Sequence, residues 1–288
     1  MLLTVFTPTY NRVHTLERTF RSLCRQQFKD FEWLVVDDGS TDGTAELITG
    51  LRALADFPIN YVAKENGGKH TAYNEGLRRA RGRWFFTVDS DDWLPDDSLA
   101  HIADIAPEAE KDPCIAGIIA LKEYPDGRLI GSPYPADLRR ASLFELERNG
   151  HRGERSLVFK TEIARQYPFP VIAGEKFMTE SVVYDRIAVH YDFMVSNLIL
   201  TTCEYQPDGL SSNPYRMIVR NPGGYALYYA GRLDAARGVR EFLRYALRYL
   251  GMARLSGRKI YQGKHRIAVG LLSPLGIPVA HFYRSRLC

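Results

Sequence analysis

Short apolar runs and helical patterns alternate through the first 121 residues. Leu2–Phe6, Glu32–Val36, Ile59–Val62, Trp84–Val88 and Ile115–Leu121 read as strands. They are almost continuously apolar rather than alternating, the signature of parallel strands covered on both faces. Val13–Gln26, Thr44–Ala55, Thr71–Ala80 and Pro95–Ala106 read as the helices between them. Asp42-Gly43-Thr44 supplies a start signal for the second helix, and Pro95 sits in the first turn of the fourth. Strand–helix alternation at this spacing predicts an open α/β sheet with right-handed crossovers.

Sheets of this kind bind ligands at the carboxyl ends of their strands. Three polar clusters fall there: Thr7-Pro8-Thr9-Tyr10-Asn11-Arg12, Asp37-Asp38-Gly39-Ser40 and Asp89-Ser90-Asp91-Asp92. Far apart in sequence, they are expected to converge on one rim. From Lys122 to about Ile172 the pattern weakens, with Pro or Gly at 125, 127, 131, 133 and 135. Loops, a hairpin and a helix around Ser142–Arg148 are expected. Val182–Val189 reads as a helix, Phe193–Val195 and Leu198–Thr202 as strands, and Gln206–Pro214 as a polar turn region. Helical periodicity returns through Tyr225–Tyr249.

A chain of 288 residues with 45% hydrophobic and 25% charged residues is an ordinary globular composition, so no disulfide or structural metal is needed for stability. The four cysteines, Cys24, Cys114, Cys203 and Cys288, form no C-x-x-C pair. They fit free thiols in a reducing cytoplasm. The N-terminal segment lacks a charged n-region and a small-residue cleavage site, and no apolar run reaches the ~18 residues of a membrane span. A cytoplasmic location is expected. The net charge of +4 hides an asymmetry. From Tyr215 to Cys288 fourteen Arg or Lys face only Asp234 and Glu241, a net of +12, leaving the first 214 residues at −8. An acidic body with a basic tail implies an anionic partner for the tail.

Asp37 and Asp38, at a strand end before a glycine turn, can accept a hydrogen bond from a ligand N–H. Alternatively, Asp38 and Asp42 cap the next helix. In Asp89-Ser90-Asp91-Asp92, three carboxylates within four residues repel one another unless a cation is near, and their hard oxygens suit Mg²⁺ or Mn²⁺. The plain alternative is a solvated acidic turn. Lys64-Glu65-Asn66-Gly67-Gly68-Lys69 leads into a helix whose first N–H groups favour an anion. The G-x-G-x-x-G and G-x-x-x-x-G-K-[ST] patterns are absent, which removes support from dinucleotide and P-loop readings. The seven histidines show no ligand spacing.

Taken in order, T-P-T-Y-N-R, V-V-D-D-G-S-T-D-G-T, E-N-G-G-K-x-x-A-x-N-x-G and V-D-S-D-D-W-L resemble the nucleotide-binding half of family 2 glycosyltransferases over residues 1–121. Gly174–Glu180 and Glu204–Ser211 look like a bacterial branch of that family. The resemblance implies an α/β GT-A fold, a Rossmann-like, mostly parallel sheet with helices on both faces. To this the basic tail adds a helical C-terminal extension. It also implies a nucleotide-sugar-binding half (1–121), an acceptor-binding half (122–214) and the basic extension (215–288). Pro8, Thr9 and Tyr10 would line the nucleoside pocket, with Asp38 accepting the uracil or thymine N3–H and Lys64 at the base's edge. Asn66, Lys69 and Ser90 would contribute to donor binding. Asp89 would reach the ribose or assist the metal, and Asp91 would hold a Mg²⁺ or Mn²⁺ ion bridging the diphosphate. Many relatives carry Arg where this chain has Tyr73, so a phosphate or base contact is in doubt there.

The implied reaction moves a sugar from a nucleotide diphosphate sugar, UDP-linked by expectation, to an acceptor hydroxyl with inversion. Polysaccharide or glycolipid synthesis is the setting the resemblance implies. The ion would stabilise the leaving diphosphate and a carboxylate would take the acceptor proton. Glu180 and Glu175 both stand in family-like positions for that base, with Glu180 preferred because it directly precedes a helix. Each also has a plain reading, as a helix cap or a partner for Arg186.

Arg237, Arg240, Arg244 and Arg248 recur at helical spacing among aromatic and aliphatic residues, a pattern that suits an anionic membrane surface. With a sugar or lipid-linked sugar as acceptor, this predicts peripheral attachment to the inner face. The alternative is a helix packed on the catalytic domain; nucleic acid is not expected. A nucleotidyltransferase acting on sugar phosphates would need a basic, glycine-rich loop near the N-terminus, where only Arg12 is present. A non-catalytic nucleotide-sugar-binding module would bind donor without turnover. A processive synthase is disfavoured, since Q-x-x-R-W and membrane spans are missing.

Overall fold

The computed structural model describes residues 1–151, 153–206, 214–257 and 261–286. Two compact units emerge: residues 1–168 with 187–206, and residues 169–186 with 207–288. The segment 122–214, assigned to one half from sequence, is divided between them.

The first unit is built on an eight-stranded sheet. In chain order its elements are β1 (Leu3–Thr9), α1 (Val13–Arg25), β2 (Phe31–Asp37), α2 (Thr44–Arg52), β3 (Ile59–Ala63), α3 (Lys69–Arg79), β4 (Trp84–Thr87), α4 (Ser98–Lys111) and β5 (Ile115–Glu123). Then follow β6 (Arg140–Ala141), α5 (Leu143–Arg148), β7 (Arg155–Lys160) and α6 (Thr161–Ala164). The short helix α7 (Ser181–Ala188), whose residues 181–186 belong to the second unit, precedes the last strand of the sheet, β8 (Asp192–Thr202). The sheet order is β3-β2-β1-β4-β7-β5-β8-β6. The run β3, β2, β1, β4 is parallel, as the unbroken apolar strands predicted. β7 inserts antiparallel between β4 and β5, while β5 and β8 are parallel.

Every residue of β1 and β2 is buried. Their side chains enter a core with Leu16, Phe20 and Leu23 of α1, Trp84 and Phe86 of β4, and Leu99, Ile102 and Ala106 of α4. Burial of aliphatic and aromatic side chains on this scale is the main term holding the sheet to its helices.

Three expectations need correction. The fourth helix begins at Ser98 rather than Pro95, because the Pro95 carbonyl accepts from the Gln26 side chain (2.7 Å) and from the Ser98 N–H. Gln26 Oε1 in turn receives the Leu99 N–H (3.0 Å), so α1 sets where α4 starts. The two short strands expected over 193–202 are one strand, β8, whose pairing with β5 is irregular at several points. In the region read as loops, β7 is a core strand. Its last three residues, Val158–Lys160, are buried beside β4.

The second unit is helical in its C-terminal part. α8 (Pro214–Arg220), α9 (Pro222–Asp234) and α10 (Val239–Ser256) are followed by α11 (Arg266–Leu271), a 3₁₀ turn (Ser273–Leu275) and α12 (Gly276–Ser285). The periodicity through Tyr225–Tyr249 breaks into α9 and α10 at Gly238, whose φ of 88° suits glycine. α10 buries Ala246, Tyr249, Leu250 and Met252 with Tyr229 and Leu233 of α9. The apolar face of α10 is thus covered within the second unit itself, by neighbouring helices of the C-terminal segment. No helix among the described residues is long and apolar enough to cross a membrane. Cys24, Cys114 and Cys203 are free thiols, and Cys288 lies outside the described residues.

Candidate functional site

Because β3, β2, β1 and β4 are parallel neighbours, their carboxyl ends lie along one rim. Thr9, at the end of β1, is level with Asp37, and Asp37 with Ala63. The rim is stitched by backbone bonds: the Asp38 N–H donates to Thr9 O, the Lys64 N–H to Asp37 O, and the Val88 N–H to Phe6 O. The polar clusters that follow these strands are thus brought together as expected. Pro8 and Thr9 are buried, whereas Tyr10 stands half exposed. Thr9 Oγ1 is buried with no hydrogen-bond partner, a polar atom left for a ligand.

The loops leaving β1 and β2 lock each other. Asn11, in the left-handed region at φ 51°, donates its N–H to Ser40 Oγ (2.8 Å), and its Oδ1 accepts the Thr41 N–H (2.8 Å). Asn tolerates that conformation better than most residues. Asp37 accepts from the Ser40 N–H (2.7 Å) and the Tyr61 hydroxyl (2.6 Å), so both its oxygens hold structure. Asp42 receives the Val13 N–H (2.9 Å) at the start of α1 and the Thr44 N–H (3.3 Å) at the start of α2. Here the helix-capping alternative holds.

Asp38 does something else. Its Oδ1 accepts from Lys64 Nζ (2.6 Å) and the Gly67 N–H (2.9 Å), and its Oδ2 from the Gly68 N–H (2.6 Å). An ionised carboxylate offers about four acceptor positions, so one remains at Oδ2. Lys64 spends its three hydrogens on Asp38, Thr71 Oγ1 (2.8 Å) and Glu65 O (2.5 Å). Gly39 must be glycine here: its φ is 88°, and a Cβ would meet Asn66 N at 3.1 Å. Tyr73 is buried edge-on against Phe6 and Phe85, at ring distances of 5.9 and 5.3 Å. It fills core where an arginine would have to reach a ligand.

Beyond β4, the Lys69 ammonium lies across the Asp89 carboxylate, 2.7 Å from Oδ1 and 2.8 Å from Oδ2. Only the Oδ2 approach has hydrogen-bond direction, leaving Oδ1 buried without a donor. Burial opposes the charge on Asp89, but the Lys69 and Lys122 ammonium groups outweigh it and hold the carboxyl below its ordinary range. Asp91 goes the other way: burial and then the negative charge of Asp89 push it up. Its carboxylate has no ion pair among the described residues. Ser90 is buried.

Asp92 belongs to the support rather than the rim. Lys122 Nζ lies 3.3 Å from its Oδ2, and the Cys203 thiol donates to the same oxygen at 3.1 Å. Burial pushes Asp92 up to about 6 in spite of Lys122. Residues missed from sequence hold this turn. Arg18 donates to Asp91 O (2.7 Å), stacks 4.0 Å over the Trp93 ring and pairs with Glu204 (2.5 Å). Thr19 Oγ1 donates to Asp92 O (2.7 Å). Only Trp93, directly after the acidic run, carried a sequence signal; Arg18 looks like any exposed helix arginine.

No group of three or more His, Cys, Asp or Glu side chains suited to a metal gathers among the described residues. What Asp89 and Asp91 offer is a two-carboxylate set in which one buried oxygen, Asp89 Oδ1, has no hydrogen-bond donor and Asp91 has no ion pair among the described residues. That fits an octahedral Mg²⁺- or Mn²⁺-type site completed by substrate phosphates, not a closed protein cage.

Glu175 and Glu180 lie in the second unit. Glu175 accepts the N–H groups of Gly223 (2.6 Å) and Gly224 (2.7 Å) in the first turn of α9, both oxygens capping that helix. Glu180 is half-buried, and its carbonyl receives the Val183 and Tyr184 N–H groups that open α7. Of the Glu204–Ser211 block, residues 207–211 lie outside the described residues.

Three comparisons complete the picture. The family model described as glycosyl transferase family 2 matches residues 4–163, more than half of the chain. Among curated proteins, the chain is 32% identical over 121 residues to the glycosyltransferase GlyA of Streptococcus pneumoniae, covering 42% of this chain and 17% of that protein. It is 32% identical over 114 residues to the poly(ribitol-phosphate) beta-N-acetylglucosaminyltransferase TarS of Staphylococcus aureus, covering 39% of this chain and 20% of that one. The matched stretch therefore spans about a fifth or less of either relative. Among solved structures, S. aureus TarS 1–349 in complex with UDP-GlcNAc superposes with a TM-score of 0.62 at 17% identity, covering 99% of this chain and 92% of that one. The mannosyltransferase PcManGT of Pyrobaculum calidifontis, in complex with GDP-Man and Mn²⁺, gives 0.57 at 20% identity, covering 98% and 82%. At such identities the likeness is one of fold, the α/β GT-A arrangement.

Proposed function

Because the chain belongs to glycosyl transferase family 2, we propose that it transfers a sugar from a nucleotide diphosphate sugar, UDP-linked, to an acceptor hydroxyl with inversion of the anomeric centre. The observation that carries this reading is the convergence of Thr9, Asp38, Lys64, Lys69, Asp89 and Asp91 on one strand rim. Thr9 Oγ1 and the remaining acceptor position of Asp38 receive the nucleoside, the latter taking a base N–H. Lys64, already spent on Asp38 and Thr71, fixes that carboxylate at the base's edge. Asn66 and Ser90 contribute to donor binding.

Asp89 and Asp91 would hold a Mg²⁺ or Mn²⁺ ion, which when bound would supply Lewis-acid stabilisation of the departing diphosphate. Lys69, on the first turn of α3, adds a positive charge where phosphate oxygens gain negative charge. Glu180 takes the acceptor proton. Glu175 is the weaker choice, since both its oxygens already cap α9. Residues 1–121 bind the donor and 122–214 the acceptor, in the synthesis of a cell-surface polysaccharide or glycolipid.

The test is thermal stabilisation of the full chain by a panel of nucleotide-sugars with and without Mn²⁺. A uridine diphosphate sugar is expected to raise the melting temperature only with the metal, and Asp91→Asn to abolish that difference. No metal-dependent shift with any uridine, thymidine or guanosine diphosphate sugar sinks the proposal. Product anomeric configuration by NMR then reads the inversion directly.

A further inference from the structure

The charge asymmetry of the C-terminal segment has a structural counterpart that nucleotide-sugar chemistry does not use. From Lys264 to Cys288 there is no acidic residue, and the bases sit at the ends: Lys264 and Arg266 before the apolar stretch, Arg284 and Arg286 after it. Between them run α11, one 3₁₀ turn and α12.

This hairpin has two faces. Val269, Gly276, Ala280 and Tyr283 are buried within the second unit. The helices lie close: a Cβ on Gly276 would meet Leu250 O of α10 at 2.9 Å, and one on Gly251 would meet Val279 at 2.5 Å. The opposite face presents Ile267 (74% exposed), Leu271 (79%), Leu275, Ile277 and Phe282 to solvent. Of fifteen exposed large apolar side chains among the described residues, these five fall within sixteen consecutive positions. Single exposed aliphatics are ordinary; a run of them bracketed by cations is not.

We infer that the outward face of the α11–α12 hairpin seats on an anionic lipid bilayer, its aliphatic side chains entering the headgroup–acyl boundary and its flanking bases meeting lipid phosphates. Helices of six and ten residues are too short to span a bilayer but long enough to lie in its surface. A dissolved polyanion would be served by the bases alone and gives no reason to expose Ile267, Leu271 and Ile277. The arginines of α10 reinforce the field without forming the insertion face. Arg237, Arg240 and Arg244 are exposed beside Val239 and Leu243, while the apolar side of α10 from Ala246 onward is packed with α9 and α12. The inference does not depend on the donor chemistry, and its test contains no sugar nucleotide.

The full chain is sedimented with vesicles of phosphatidylcholine alone and of phosphatidylcholine mixed with phosphatidylglycerol, across a salt series. Binding is expected only with phosphatidylglycerol. Ile267→Ser with Leu271→Ser should weaken it by about tenfold or more, and Arg284→Gln with Arg286→Gln by about tenfold with a shallower salt dependence. All four side chains are exposed, so unchanged circular dichroism melting verifies folding. Absence of co-sedimentation at low salt overturns the inference. Undiminished binding by the aliphatic double variant does so too, by marking a purely electrostatic polyanion surface. Self-association in analytical ultracentrifugation that the aliphatic variant abolishes, without vesicle binding, assigns the face to a second copy instead.

Discussion

Glu175 caps a helix, while Glu180, five positions on, is the residue proposed as the base. Glu175 gives both oxygens to N–H groups at the start of α9, so it substitutes for the missing side-chain cap at Asn221. Charged acceptors at a helix N-terminus stabilise it by hydrogen bonding and by the local dipole. Glu175→Ala is expected to lower unfolding free energy by about 2 kcal/mol in chemical denaturation. Glu180→Gln should leave that stability within about 0.5 kcal/mol and lower turnover by about 100-fold or more at unchanged donor affinity. Full turnover by Glu180→Gln removes it from the proposed role. The sequence marked both acids as candidates but carried no hint that Gly223 and Gly224 would claim one of them. Asp89 and Asp91 stood out in the sequence as carboxylates crowded directly after an apolar strand. Lys122 was not, since its partner Asp92 lies 30 residues away.

Helix starts and strand pairings follow neighbours as much as local pattern. Pro95 is a good first-turn residue, yet Gln26 of the preceding helix takes its carbonyl and moves the start of α4 to Ser98. On α3, Glu75 meets Arg78 (2.7 Å) and Arg79 at i+3 and i+4 spacing. The Arg78 hydrogen bond, aided by Arg79 and opposed by burial, holds Glu75 down at about 2. A depressed acid stabilises the fold above its unfolded pKa and loses that contribution as pH falls through the folded one. The wild type should therefore lose stability from about pH 4.5 towards about 2. Glu75→Gln should flatten that segment of the curve and cost about 1 kcal/mol or less at neutral pH, since both arginines are exposed. An unaltered acid limb in Glu75→Gln would contradict the pairing.

At the scale of the molecule, each unit holds a core of its own. In the second, Arg232 of α9 grips Asp185 of α7 through Nε–Oδ2 (2.6 Å) and Nη2–Oδ1 (3.1 Å), with both side chains nearly buried. Removing one partner strands the other charge away from water. Asp185→Asn is expected to cost about 3 kcal/mol in urea unfolding, and replacing both residues by Leu to recover most of it. Wild-type stability in Asp185→Asn would show that the pair carries no weight. Neither residue stood out in the sequence, because partners 47 positions apart leave no periodic trace.

The sequence by itself determined the parallel half of the sheet, since residues buried on both faces must be apolar throughout. It also determined the three polar clusters at the strand ends, because the turns that leave buried strands favour Gly, Asn and Asp. Tertiary structure decided the rest. It threaded β7 antiparallel into the sheet centre, tied Asp38 to the Gly67–Gly68 turn and assigned Asp92 to Lys122. It packed the apolar side of α10 inward and left that of the α11–α12 hairpin in solvent. Each of these outcomes depends on which surfaces meet, and pairing energies between distant residues are invisible to local periodicity.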